Sequence, residues 1–191
     1  MLPVEGLCFV DLGSGIGGVV LAMHIIAAKN VTSIIGVEKS EYFCGKFLQW
    51  VDDICTNSPW VRHSMLELRE NMVMGDMLTD PSAEDATRRA SVIFSNNYLF
   101  DVVTRTGSLN SLMAATRVKN MAHDACIITT APIAHSSLKL TSQFAFPSGS
   151  FSWTHEDDSR WQGYIYSKVE PDSSKRVSSR NHTCAAVQDY Q

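Results

Sequence analysis

The run FVDLGSGIGG at residues 9–18 leaves few ways for the surrounding chain to fold. Phe9 to Leu12 suits a buried strand. Gly13, Gly15 and Gly17 then permit a tight turn whose backbone can come close to a nucleotide-like ligand as a helix opens. That helix is expected from Gly17 to Lys29, apolar on most faces, and TSIIGVE at 32–38 reads as a second strand. Strand, glycine turn, helix and strand make a βαβ unit, the element of a parallel sheet.

The rest of the chain continues the alternation. Ser40 suits an N-cap for a helix carrying Phe43, Phe47, Leu48, Val51 and Ile54, interrupted by Asn57, Ser58 and Pro59. NMVMGDM at 71–77 is expected as the third strand and SVIF at 91–94 as the fourth. DPSAEDATRR at 80–89 reads as a polar connector with a short helical turn at most. A helix over Ser108 to Met121 precedes a fifth strand, CIITTAPI at 126–133, stopped by Pro132. GSFSWT at 149–154 and GYIYSKV at 163–169 flank the polar HEDDSR segment and predict an antiparallel hairpin on the sheet edge. Glu170 to Gln191 is polar and expected to be a loosely held tail.

Composition removes several functional classes. No apolar stretch approaches the roughly 20 residues of a bilayer span, so no membrane segment is expected. Met1 to Val10 lacks the pattern of a signal peptide, and an intracellular location is expected. The five cysteines form no CxxC pair and no cluster of zinc spacing, so reduced thiols and no metal site are expected. A formal net charge of -4 argues against gripping nucleic acid by bulk electrostatics, leaving DNA contact weak or borrowed. Trp50 and Trp60 are expected in packing roles.

Three acids fall at three successive strand ends: Asp11 before the glycine turn, Glu38 at 21 residues beyond Gly17, and Asp76 in GDM. Glu38 can accept both ribose hydroxyls, and Asp76 can accept from an adenine amino group. Taken singly, Glu38 could merely favour the following helix N-terminus and Asp76 could merely shape a turn. Together they describe a cofactor pocket. A pyrophosphate would be repelled by so many carboxylates, whereas S-adenosylmethionine carries positive charge and no phosphate, so the methyl donor is favoured over a dinucleotide. SVIFSNNYLF at 91–100 then poses its own question, because a core strand runs into two amides, Asn96 and Asn97.

In order, FVDLGSGIGGVVL at 9–21, GVEKS at 36–40, GDML at 75–78, SVIFSNNYLF and GSFSWT resemble the motifs of the disruptor-of-telomeric-silencing histone H3 lysine methyltransferases. These enzymes have a Rossmann-like rather than a SET fold. The similarity covers about Phe9 to Lys168 and is weak between Pro132 and Pro147. It implies an α/β, class I S-adenosylmethionine-dependent methyltransferase whose mostly parallel sheet ends in the antiparallel hairpin. It also implies methyl transfer to a core-domain lysine of histone H3 in nucleosomes, and a nuclear, chromatin-regulating role. Cofactor contacts are expected from Asp11, Gly13, Ser14, Gly15, Gly17, Glu38, Lys39, Asp76, Met77 and Asn96. Asn96 would lie at the methyl-transfer end, Asn97 would brace the turn, and Trp153 and Trp161 would wall the lysine channel.

The chain also departs from that pattern. Only eight residues precede Phe9, so the domain at 1–169 is expected to lack the family's N-terminal helical lid. Gly18 replaces a usual Gln, Met77 replaces an aromatic, and His123 with Asp124 replaces a glycine turn. A catalytically silent relative acting as a binding or scaffolding module is the alternative, with an NAD-dependent oxidoreductase behind it.

Overall fold

The computed structural model describes residues 6–27, 30–97, 103, 104, 107–146 and 162–169. In chain order the elements are β1 (Leu7–Leu12), α1 (Gly18–Ala27), β2 (Val31–Glu38), α2 (Glu41–Asn57), a single 3-10 turn at Pro59–Val61, α3 (Arg62–Glu70), β3 (Met72–Met74), α4 (Pro81–Arg89) and β4 (Val92–Ser95). There follow β5 (Val103–Thr104), β6 (Gly107–Ser108), α5 (Leu109–Arg117), β7 (Cys126–Thr129), β8 (Leu138–Ala145) and β9 (Gln162–Lys168). Seven of these strands form one sheet in the order β3-β2-β1-β4-β7-β9-β8, while β5 and β6 pair with each other. Strands β3 to β7 of that order run parallel, and β9 and β8 are antiparallel.

Alternation along β1 divides the core. Cys8, Val10 and Leu12 pack with Ile35, Val37 and Ile93 of neighbouring strands against Ala83 and Ala86 of α4 and Met113 and Ala114 of α5. Phe9 packs on the opposite face with Ile34 and Phe94 against Val20 of α1, Phe47 and Val51 of α2, and Met65 and Leu68 of α3. Helices therefore cover both faces, as a parallel sheet requires. Fully burying a side chain the size of Phe47 contributes on the order of 2–3 kcal/mol, and several such residues fix the sheet between its two layers.

The expected strands of the βαβ core are present, with β7 ending at Thr129, ahead of Pro132. Two expectations are corrected. Residues 80–89 are not a connector: α4 is a nine-residue helix, N-capped by Asp80, whose Oδ1 accepts from Ser82 N at 2.7 Å, with Pro81 in its first turn. Its buried side is made of small residues, Ala83, Ala86 and Thr87.

The hairpin partner of GYIYSKV is also different. β9 lies between β7 and β8, with both hydrogen-bonding edges occupied, so its antiparallel arm is Leu138–Ala145, and among the described residues β8 is the sheet edge. GSFSWT lies outside the described residues, as do Tyr98, Phe100, Trp153, Trp161 and the tail at 170–191. Trp50 and Trp60 are exposed rather than packed. No helix among the described residues is long and apolar enough to cross a membrane, and no group of three or more potential metal ligands occurs among them. Cys8 and Cys44 are buried, Cys55 and Cys126 half-buried, and all four are free.

Candidate functional site

Parallel strands bring their C-terminal ends to one edge of the sheet, and in open α/β sheets ligands bind there. Asp11 pairs in register with Gly36 of β2 and Phe94 of β4, which centres it among β1, β2 and β4. The glycine turn leaves that edge with Gly13, Gly15 and Gly17 at φ of 78°, 57° and 75°. Gly13 N and Ser14 N both donate to Val37 O, at 2.9 and 3.0 Å, so the turn is tied to the end of β2. Gly17 is doubly constrained, because a Cβ there would also lie 2.2 Å from Cδ2 of Phe47.

Glu38 caps this arrangement. Its Oε2 accepts from Gly15 N at 2.8 Å and its Oε1 accepts from Ser40 N at 2.8 Å. Ser40 in turn accepts from Phe43 N to cap α2. Each carboxylate oxygen retains a second lone pair for a ligand hydroxyl. Asp11 is buried, and its Oδ1 has no hydrogen-bond partner. Burial, and secondarily the charge of Glu38, push its carboxyl up to about 7.

At the end of β3, Asp76 Oδ1 accepts from Leu78 N at 2.8 Å and Oδ2 accepts from Lys39 Nζ at 3.1 Å. Partial burial alone would raise this carboxyl, but the Leu78 N–H and the Lys39 ammonium outweigh it and hold the group below the usual carboxylate range. Behind the turn, Arg117 Nε donates to the Met77 carbonyl. Arg117 is the largest fully buried side chain among the described residues. In the sequence it reads as an ordinary cation in the last turn of a helix, and only its position opposite the 76–78 turn gives it a task.

The amides at the end of β4 have unequal roles. Asn97 is fully buried and stitches β4 to the segment after β7: Oδ1 accepts from Thr130 N at 3.0 Å and Ala131 N at 2.7 Å, while Nδ2 donates to Ala131 O at 3.1 Å. Asn96 is half-buried and accepts at Oδ1 from the Thr130 hydroxyl at 2.8 Å. Ser95 Oγ donates to Leu12 O at 3.0 Å, joining the same corner to β1. Of the expected site residues, Asp11, Gly13, Ser14, Gly15, Gly17, Glu38, Lys39, Asp76, Met77 and Asn96 all lie at the ends of β1, β2, β3 and β4. The two channel tryptophans are outside the described residues.

Against known families, residues 4–163 match the model described as histone methylation protein DOT1. The chain belongs to this family. Among solved structures it is similar to the rRNA methyltransferase AviRa from Streptomyces viridochromogenes, at 9% identity and a TM-score of 0.56, covering 88% of this chain and 78% of that one. It is also similar to a geranyl diphosphate methyltransferase in complex with SAM, at 12% identity and 0.54, covering 88% and 81%. A third, the antibiotic-resistance methyltransferase Kmr, gives 13% identity and 0.55, covering 89% and 90%. At such identities these likenesses establish the fold, which is that of class I S-adenosylmethionine-dependent methyltransferases. No curated protein sequence matches the chain. Family and fold together make this DOT1-family protein an S-adenosylmethionine-dependent histone methyltransferase.

Proposed function

We propose that this chain methylates a lysine in the core domain of histone H3 within nucleosomes, in the nucleus, with residues 1–169 as the catalytic unit. The observation that carries the reading is the buried Asp11 carboxylate with an unpartnered Oδ1, set beside a glycine turn in a chain matching the DOT1 family. An orphaned buried acid is costly unless a ligand completes it. The ammonium of the methionine moiety has the charge and donors to do so, whereas a dinucleotide pyrophosphate has neither.

In this reading Asp11, Gly13, Ser14, Gly15 and Gly17 hold the methionine part of S-adenosylmethionine, Glu38 with Lys39 the ribose side, and Asp76 with Met77 the adenine. When bound, the cofactor would supply a sulfonium methyl whose carbon a neutral lysine amine attacks in line, the C–N bond forming as the C–S bond breaks to release a thioether, with the methylated ammonium then losing its proton to solvent. The reaction demands positioning more than proton chemistry. Asn96 orients the reacting groups without a charge that would keep the lysine protonated, and Trp153 and Trp161 wall the lysine channel. An apolar channel disfavours the ammonium form and lowers the lysine pKa.

The test is incubation with methyl-labelled S-adenosylmethionine and either nucleosomes or free histones, with peptide mapping of the label and Asn96→Ala as control. Label on a core-domain H3 lysine that disappears in Asn96→Ala is the expected result. Cofactor binding with no label on any histone would replace this function with that of a silent binding module.

A further inference from the structure

The Thr130 hydroxyl has two possible acceptors. Asn97 Oδ1 is 3.4 Å away, and Asn96 Oδ1 is 2.8 Å away. Asn97 Oδ1 already receives the backbone N–H groups of Thr130 and Ala131, which fill its two lone pairs, and its Nδ2 is committed to the Ala131 carbonyl. Both ends of the Asn97 amide are therefore fixed by backbone. The single Thr130 proton goes to Asn96 instead, and Thr130 itself is buried, only 4% exposed. The order of control is Asn97, then the backbone at Thr130 and Ala131, then the Thr130 hydroxyl, then the Asn96 amide.

We propose that Thr130 is the positioning residue of the transfer site, locking the Asn96 amide with its oxygen toward the end of β7 and its NH2 available as a hydrogen-bond donor. This rests on the assignment of Asn96 to the cofactor site and deepens it by giving the polarity of the contact. A donor must not face the lysine amine, because a hydrogen bond into the nitrogen lone pair would compete with attack on the methyl group. The group it serves is thus an acceptor on the cofactor, of the carboxylate or hydroxyl class. The reversed amide, with its oxygen offered to the cofactor, would leave Thr130 facing an NH2 and send the hydroxyl proton to an Asn97 oxygen that is already filled.

Two measurements on the ¹⁵N-labelled full chain test the lock. In heteronuclear spectra the Asn96 side-chain NH2, assigned by its absence in Asn96→Ala, gives one sharp pair of signals in the wild type and in Thr130→Ser, and broadens or splits in Thr130→Val. By calorimetry Thr130→Val binds S-adenosylmethionine about tenfold more weakly, the weight of one well-made hydrogen bond, whereas Thr130→Ser stays within about twofold. In an Asn96→Ala background Thr130→Val has no further effect, since the two residues act as one unit. An unchanged NH2 pair in Thr130→Val, or additive losses in the double variant, overturns the proposal. A wild type that shows the lock yet labels no histone overturns the proposed function and leaves the lock standing. A wild type that binds no S-adenosylmethionine overturns the proposed function and, with it, the cofactor contact assigned to the Asn96 amide.

Discussion

Asp11 is a carboxylate in a place that penalises its charge, and the consequence has a definite sign. Burial first and Glu38 second raise its folded-state carboxyl to about 7, from an ordinary 3.8. Between those values the folded protein binds more protons than the unfolded chain, so the stability associated with this group is fully present below 3.8 and is lost as pH rises through 7. The shift is worth about 4 kcal/mol at most. Urea unfolding of wild type and Asp11→Asn from pH 5 to pH 8 is expected to show the wild type losing stability relative to the variant as pH rises. Parallel profiles for the two proteins would refute it. A cationic ligand needs the ionised acid, so S-adenosylmethionine affinity is expected to rise about tenfold between pH 5.5 and 7 in the wild type and to stay level in Asp11→Asn. Gly17 imposes a steric demand in the same loop. Its φ of 75° disfavours any side chain, and a Cβ would overlap the fully buried Phe47 ring. Gly17→Ala is expected to cost about 3 kcal/mol or more in chemical denaturation, combining left-handed strain with overpacking, and cofactor binding falls with it.

At the scale of elements, α5 and the β3–α4 connection are joined through Arg117. The guanidinium is desolvated, which lowers its pKa, and Glu84, Asp76 and Asp80 oppose that with favourable charge. Its Nε holds the Met77 carbonyl while Nη2 is buried without a partner. Arg117→Met deletes one hydrogen bond but also removes that unsatisfied group. Because the attraction of Glu84, Asp76 and Asp80 and the donor to the Met77 carbonyl are lost as well, a modest net stability loss of about 1 kcal/mol is expected. The freed 76–78 turn is instead expected to weaken S-adenosylmethionine binding about tenfold, measured by calorimetry beside thermal melts. A large stability loss with unaltered affinity would make Arg117 a core residue only. The sequence revealed elements unevenly, for physical reasons. β1, β2, β4 and β7 were legible because a parallel strand buried on both faces is a run of Val, Ile and Phe. α4 was missed because it buries Ala83, Ala86 and Thr87, which make no hydrophobic stripe, although Asp80 and Pro81 carried a readable N-terminal signal. β8 was missed because an exposed edge strand has little apolar pattern, and a register shift between Leu140 and Ser142 breaks what there is. The acids of the candidate site were visible through spacing from the glycine turn. Thr130 and Arg117 were not, since their roles come from pairing across 34 and 40 residues of sequence.

The whole molecule adds a constraint that no single site contains. Its formal net charge is -4, while histones are basic and nucleosomal DNA is densely anionic. On the proposed function, free histone H3 is expected to be attracted to this chain, and a nucleosome is expected to present it with a repulsive DNA surface around the same histone. Long-range terms of this kind act mainly on encounter and fade once the Debye length shrinks, from about 10 Å at 0.1 M salt toward 3 Å at 1 M. Acting alone, the chain is expected to label free H3 faster than nucleosomal H3. Raising salt from about 50 to 200 mM is expected to slow the first reaction and leave the second unchanged or faster. A basic partner that supplies DNA contact should invert the order by replacing repulsion with phosphate neutralisation, and that rate should then fall steeply with salt. Labelling rates for the two substrates across the salt series decide the matter. Faster labelling of nucleosomes by the chain alone, with a rate that falls with salt, would mean that it carries its own DNA-binding surface despite its net charge.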